Sequence, residues 1–352
     1  MKFAIFSMVK NEADIIESFV RHNLNFADEM YILDNGSTDN TLSILKNLYG
    51  EGLPIRLFQD TTHGHRQHQI LSNLMQHIQG DTDADIFMCL DADEFISISP
   101  NSPPQYRLNQ KAFFDQHLQA VARYGVCAMQ WVNYLPNDSC ENLDFINYFD
   151  DFARCQMSVP EHQKVIFSRD MLAKVVLAQG NHFLSDKNTQ QKIQHLVFQD
   201  IVLAHIPIRS AEQAISKVLT TAISVSSREM GMNESFHIFN MKEKIINNNY
   251  TLAIDECREL AHYYGLPEFY REQVVLGKGR INDVYIEHKY LDLINLSIVH
   301  NLREQAEIFA KKTKDLTMAL AAKEQELTTS HQRICELERL LKQISQMGRK
   351  YG

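Results

Sequence analysis

Three carboxylates in four positions, Asp91, Asp93 and Glu94, follow directly on the apolar run "IFMCL". Like charges packed that closely repel and raise one another's pKa unless a cation lies between them. A strand alternates its faces, so Asp91 and Asp93 are expected on one side and Ala92 on the other. Two oxygens presented together at a strand end can hold a hard divalent cation, Mn²⁺ or Mg²⁺, with a substrate's phosphates completing the shell. A solvated acidic turn is the bland alternative. The apolar lead-in and the company of other polar strand ends outweigh it.

Those other ends come from the elements that must position the carboxylates. The runs "FAIFSMV", "EMYILD", "IRLFQ" and "IFMCLD" read as strands. Between the first two, Ile15, Ile16, Phe19, Val20 and Leu24 recur at helical spacing, and "NGSTDNTLSILKNLY" opens a second helix with Thr38 or Asp39 as its cap. "HRQHQILSNLMQHI" supplies a third. Alternating strands and helices predict an α/β fold with a mostly parallel central sheet, in which ligands bind beyond the carboxyl ends of the strands. Asn11 and Glu12, Asp34 and Asn35, His63 to His68, and Asp91 to Glu94 all fall at such ends.

Further along, "VCAMQWV", "QKVIFS" and "IVLAHIPI" are short strand candidates, and residues 211–300 read as a helical extension. From Leu302 a heptad places Leu302, Phe309, Leu316, Lys323, Ser330, Leu337 and Ile344 at one core position. Ala306, Thr313, Leu320, Leu327, Ile334 and Leu341 occupy the other, the pattern of an oligomerising coiled coil over 301–352.

Bulk properties narrow the function. A net charge of −9 over 352 residues argues against a nucleic-acid binder. Six scattered cysteines without a C-x-x-C pair fit a reduced, cytoplasmic protein. No apolar run is long enough to span a bilayer, so membrane contact is expected to be at most peripheral, at the inner membrane. "MKFAIFSMVKNEAD" reads as a first strand rather than a signal peptide.

The segment "MVKNEADIIESFVRHNLNFADEMYILDNGSTDNTLSIL", then "LDADEFI", resembles the family-2-like glycosyltransferases, in particular a bacterial branch related to the family-92 enzymes. "HIPIRSAEQAISK" is similar to a downstream segment of that branch, and the likeness covers roughly residues 1 to 217. It implies a GT-A-like nucleotide-binding domain over 1–210, a nucleotide-sugar donor with UDP favoured, and a glycan acceptor of the lipopolysaccharide or capsule kind. By the same resemblance Asn11, Glu12, Asp34, Asn35 and Asp91 meet the nucleotide. Asp93 is the direct metal ligand, and Asp91 lies nearer the ribose or a metal-bound water. The position of the D-x-D, after a fourth strand, fits this class better than haloacid-dehalogenase-type phosphatases, which carry it early.

GT-A enzymes often take one more metal or phosphate contact from a downstream His, for which His205 and His182 are candidates. Lys164 and Arg209 are candidates for the leaving diphosphate. "HGHRQH" at 63–68 does not share one face of a strand or helix, and Arg66 there could face an anion. An inverting transfer needs a carboxylate base, and Asp138, Glu141, Asp150, Asp151 and Glu161 lie in the right part of the chain without the sequence selecting one. Two rivals remain: a catalytically inactive scaffold assembled through the coiled coil, and a nucleotidyltransferase. The latter is disfavoured because the first loop, "SMVKNEAD", has no Gly.

Overall fold

The computed structural model describes residues 1–60, 67–99, 101–136, 153–155, 163–226, 236–248, 251–262, 264, 276–278, 286–294, 315, 318–319 and 321–334. The chain divides into two compact units, Met1–Asn301 and Leu302–Gly352.

The first unit begins as the sequence predicts. Strands β1 (Phe3–Val9), β2 (Glu29–Asp34), β3 (Ile55–Gln59) and β4 (Ile86–Cys89) alternate with helices α1 (Ile16–Asn23), α2 (Thr41–Gly50) and α3 (Gln67–Ile78). These four strands run parallel in the order β4-β1-β2-β3. Side chains of β1 alternate between two cores: Phe3 and Ile5 face α1 residues such as Phe19, while Ala4 and Phe6 face Leu71 and Leu74 of α3. Helices on both faces are what a buried parallel sheet requires. The cap of α2 differs slightly from expectation. Asn40 holds the cap position, while the Asp39 carboxylate accepts the Thr41 backbone N–H at 2.9 Å.

Beyond β4 the sheet becomes mixed. After β5 (Glu94–Ile98) and α4 (Gln110–Tyr124) come β6 (Val126–Leu135), β7 (Ala153–Cys155) and β8 (Gln163–Ser168). β8 lies antiparallel between β4 and β6. The hairpin of β9 (Val175–Leu177) and β10 (Leu184–Asp186) stands apart, and β11 (Leu196–His205) then enters between β5 and β6, antiparallel to the first and parallel to the second. α5 (Ala211–Ser226), α6 (Phe236–Asn247) and α7 (Ile254–His262) follow, and β12 (Leu276–Lys278) pairs with β7. The helical segment after residue 210 therefore belongs to the same compact unit as the strands, and its described residues include the short strand β12.

In the second unit the described residues are helical and exposed, including Leu327 and Ile334 of the heptad. Among the described residues no helix is long and apolar enough to cross a membrane.

Candidate active site

The carboxylates do not extend β4. That strand ends at Cys89, and residues 91–94 form a tight turn into β5. Glu94 closes the turn twice: its N–H donates to the Asp91 carbonyl at 3.1 Å, and its side chain accepts the Asp91 N–H at 3.0 Å. Because the backbone turns here, the strand alternation expected for Asp91 and Asp93 does not hold. Asp91 accepts from Lys164 on β8 at 2.7 Å, while Asp93 accepts from Lys217 on α5 at 2.5 Å. The two carboxylates face different cations.

α1 fixes the far side of the turn. The buried Asn23 amide donates to the Glu94 carbonyl and accepts the Ile96 N–H, both at 3.1 Å, and the His22 ring donates through Nε2 to the Ile96 carbonyl at 2.7 Å. β11 fixes the near side. Its register sets His205 opposite Glu94 on β5 and opposite Asn133 on β6, and the next residue, Ile206, donates its N–H to the Asp93 carbonyl at 2.9 Å. This puts His205 Nε2 3.6 Å from Asp93 Oδ2.

A chain of hydrogen bonds sets the His205 tautomer. Asn133 Nδ2 donates to the Tyr264 carbonyl at 3.0 Å, which turns Asn133 Oδ1 toward His205 Nδ1, 2.7 Å away. Burial drives the His205 pKa down to about 4 against the pull of Asp93, so the ring is neutral with its proton on Nδ1. Its Nε2 lone pair then faces a carboxylate oxygen. Two electron-pair donors facing each other repel unless a cation stands near both. Their 3.6 Å separation suits a divalent cation with bonds of about 2.1 Å. Lys217 supplies positive charge on the same Asp93 oxygen, and among the described residues no group of three or more His, Cys, Asp or Glu side chains is placed to hold a metal. The protein side thus offers Asp93 and His205, with further ligands left to substrate. Asp91, the other expected metal residue, is paired instead with Lys164.

Around this pair lies a buried ion cluster. Lys164 joins Asp91 and Glu94; Arg209 joins Glu12 and Asp14, each at 2.6 Å; Lys217 holds Asp93. Five carboxylates meet three cations, leaving two excess negative charges when all are ionised. The cluster relieves this by taking up protons. Burial pushes Glu94 up to about 8 despite Lys164, and Glu12 up to about 7 despite Arg209 and Lys217. Asp93 is the exception: burial opposes its charge, but the Lys217 ammonium, helped by Arg209, outweighs it and holds the carboxyl well below the usual range.

The nucleotide candidates gather at the ends of β1 and β2. Asn11 has a left-handed φ of 56°, which Asn tolerates better than most residues. It laces the two loops together, donating its N–H to Ser37 Oγ at 3.0 Å and accepting the Thr38 N–H at 2.8 Å. The Asn35 side chain donates to the Asp60 carbonyl. Asp34 is buried; its Oδ2 accepts the Ser37 N–H at 3.2 Å, and its Oδ1 has no hydrogen-bond partner among the described residues.

The remaining expectations divide. Lys164 and Arg209, expected at the diphosphate, are buried and committed to two carboxylates each. His182 bonds the Gln163 carbonyl and lies against Trp131, whose own ring is 3.9 Å from that of His205. Asp138, Glu141, Asp150, Asp151, Glu161, His63, His65 and Arg66 lie outside the described residues. Sequence reasoning missed Asp14 and Lys217. They sit inside the quoted motifs "KNEAD" and "RSAEQAISK", Lys217 on α5 just after Arg209.

Residues 5–157 match the family model described as glycosyl transferase family 2. The chain carries a glycosyl transferase family 2 domain over these residues. Its fold is the GT-A-like α/β arrangement, with a mostly parallel sheet whose carboxyl ends carry the site. Among solved structures this glycosyltransferase is similar to S. aureus TarS 1–349 in complex with UDP-GlcNAc, at 11% identity and TM-score 0.35, covering 78% of each chain. It is also similar to the mannosyltransferase PcManGT from Pyrobaculum calidifontis in complex with GDP-Man and Mn²⁺, at 15% identity and TM-score 0.35, over 74% of this chain and 72% of that one. Glucosyl-3-phosphoglycerate synthase from Mycobacterium tuberculosis matches at 14% identity and TM-score 0.27, over 50% and 60% of the two chains. No curated protein matches the sequence.

Proposed function

We propose that this glycosyltransferase moves a sugar from a nucleotide-sugar donor, a UDP-sugar by preference, to a glycan acceptor, with Asp93 and His205 holding a divalent cation, Mn²⁺ or Mg²⁺. The observation that carries this reading is the facing pair: a carboxylate kept ionised and an imidazole nitrogen kept unprotonated, 3.6 Å apart at the carboxyl end of the sheet. When bound, the cation neutralises charge developing on the departing nucleotide. The chain's own residues supply the rest. Asn133 orients His205, and the β4–β5 turn orients Asp93. Lys164 and Arg209 keep the surrounding carboxylates fixed rather than reaching for phosphate. Asp34 Oδ1, buried and lacking a partner among the described residues, is the acceptor for a nucleoside N–H or hydroxyl, beside Asn11.

The glycan acceptor is a growing surface polysaccharide of the lipopolysaccharide or capsule kind, and the enzyme works in the cytoplasm or at the inner face of the membrane. The base is one of the acidic residues between 138 and 161. Release of free nucleotide by the purified protein, with Mn²⁺ and a panel of UDP- and GDP-sugars, tests the reading. One donor is expected to turn over, with a rate at least about a hundredfold lower in Asp93→Asn. Equal rates in wild type and variant, or turnover of none of the donors, contradict it.

A further inference from the structure

Lys217 stands where the cation chemistry happens, yet it comes from α5, beyond the strands that form the rest of the site. Its Nζ is 2.5 Å from Asp93 Oδ2, the same oxygen that faces His205 Nε2 at 3.6 Å. The ammonium also lies 3.4 Å from the Pro207 carbonyl and 5.5 Å from the centre of the Tyr264 ring, both favourable to positive charge. A divalent cation on that oxygen and an ammonium on that oxygen would repel at contact distance, in a site with little water to screen them. One of them has to leave.

The three cations of the cluster differ in their freedom to do so. The side chains of Lys164 and Arg209 are 1% exposed, and each spans two carboxylates. The Lys217 side chain is 22% exposed, on a flexible four-carbon stem rather than a planar fork. Displaced from Asp93, it can follow the only new negative charge a substrate would bring, a diphosphate.

We propose that the Lys217 ammonium is the built-in counter-cation of Asp93 in the donor-free enzyme, so that a divalent cation binds well only together with the donor diphosphate, onto which Lys217 transfers. This inference rests on the reading of Asp93 and His205 as the metal-holding pair. Lys217 then couples the two ligands: it weakens metal alone and strengthens metal with nucleotide, and linkage makes the effect mutual. The arrangement guards against metal held without donor, and it removes the need for a third protein ligand.

Electron paramagnetic resonance titration of Mn²⁺ into the full-length protein, without nucleotide and then with saturating UDP, GDP or CDP, tests this. Wild type and Lys217→Arg are expected to bind Mn²⁺ weakly alone and at least tenfold more tightly with the matching nucleotide. Lys217→Met and Lys217→Gln are expected to bind Mn²⁺ alone at least tenfold more tightly than wild type, and to lose most of the nucleotide's enhancement. Adding Asp93→Asn to either should abolish the gain. Circular dichroism confirms folding, and two neutral variants guard against one failing to fold. If wild type binds Mn²⁺ with nucleotide while the neutral variants bind Mn²⁺ alone no better than wild type, the lysine proposal is overturned and the metal reading stands. If no form binds Mn²⁺ with any nucleotide, both fall together.

Discussion

Asn133 does for His205 what outer-shell partners do for metal-binding imidazoles generally, fixing the tautomer by accepting the Nδ1 proton. Asn133→Ala is therefore expected to lower Mn²⁺ affinity in the presence of nucleotide by about 10- to 100-fold, while the nucleotide's own contacts persist. Unchanged affinity would show that the ring is held by packing against Trp131 alone. His22 makes a second prediction at this scale. Its ring is buried, donates through Nε2 to the Ile96 carbonyl, and has no partner at Nδ1 among the described residues. Burial lowers its pKa from 6.5 to about 4, so between those values the unfolded chain binds the extra proton. The resulting stability is present above pH 6.5 and is lost as the pH falls to 4, a difference of about 3 kcal/mol. Urea titrations across this window should show His22→Asn with a shallower fall than wild type. Parallel curves would contradict it.

At the scale of elements, the site depends on strands brought together from distant parts of the chain. β8 lies beside β4 and delivers Lys164 to Asp91 and Glu94. Removing that cation leaves two carboxylates without their partner wherever Glu94 is ionised, so above its pKa of about 8 Lys164→Met is expected to cost about 3–5 kcal/mol in chemical denaturation. Adding Glu94→Gln should recover part of the loss, because the deeply buried carboxyl no longer needs compensation; no recovery would show that Lys164 acts through Asp91 alone. The same strands explain what was legible in the sequence. β1 to β4 and their helices each announce themselves locally, through apolar runs and helical spacing over fewer than fifteen residues, and Asp34 and Asp93 fall at readable strand ends. The pairing of β11 with both β5 and β6 joins residues at least 69 positions apart, through a register shift between Phe198 and Val202. No local period encodes that shift, yet it is what aligns His205 with Asn133. The divergence of Asp91 from Asp93 was hidden for a similar reason: whether "LDADEF" continues a strand or turns depends on Glu94 folding back onto the Asp91 N–H.

For the whole molecule, the chain divides into two compact units after Asn301, and the second carries the heptad residues. The helical residues 321–334 expose Leu327 and Ile334, both at one heptad position. A coiled coil between copies of this chain would cover them. Analytical ultracentrifugation should find the full-length protein oligomeric and the Leu327→Asp/Ile334→Asp double variant monomeric, with nucleotide binding retained; a monomeric wild type at micromolar concentration would contradict it. The candidate site residues all lie in the first unit. Calorimetric titration of UDP, GDP and CDP into wild type and Asp93→Asn, with and without Mn²⁺, probes it most directly. One nucleotide is expected to bind, Mn²⁺ to tighten it, and Asp93→Asn to remove the Mn²⁺ effect. Binding of the same strength with and without Mn²⁺ in both proteins would contradict the assignment of Asp93 and His205 as the cation-holding pair.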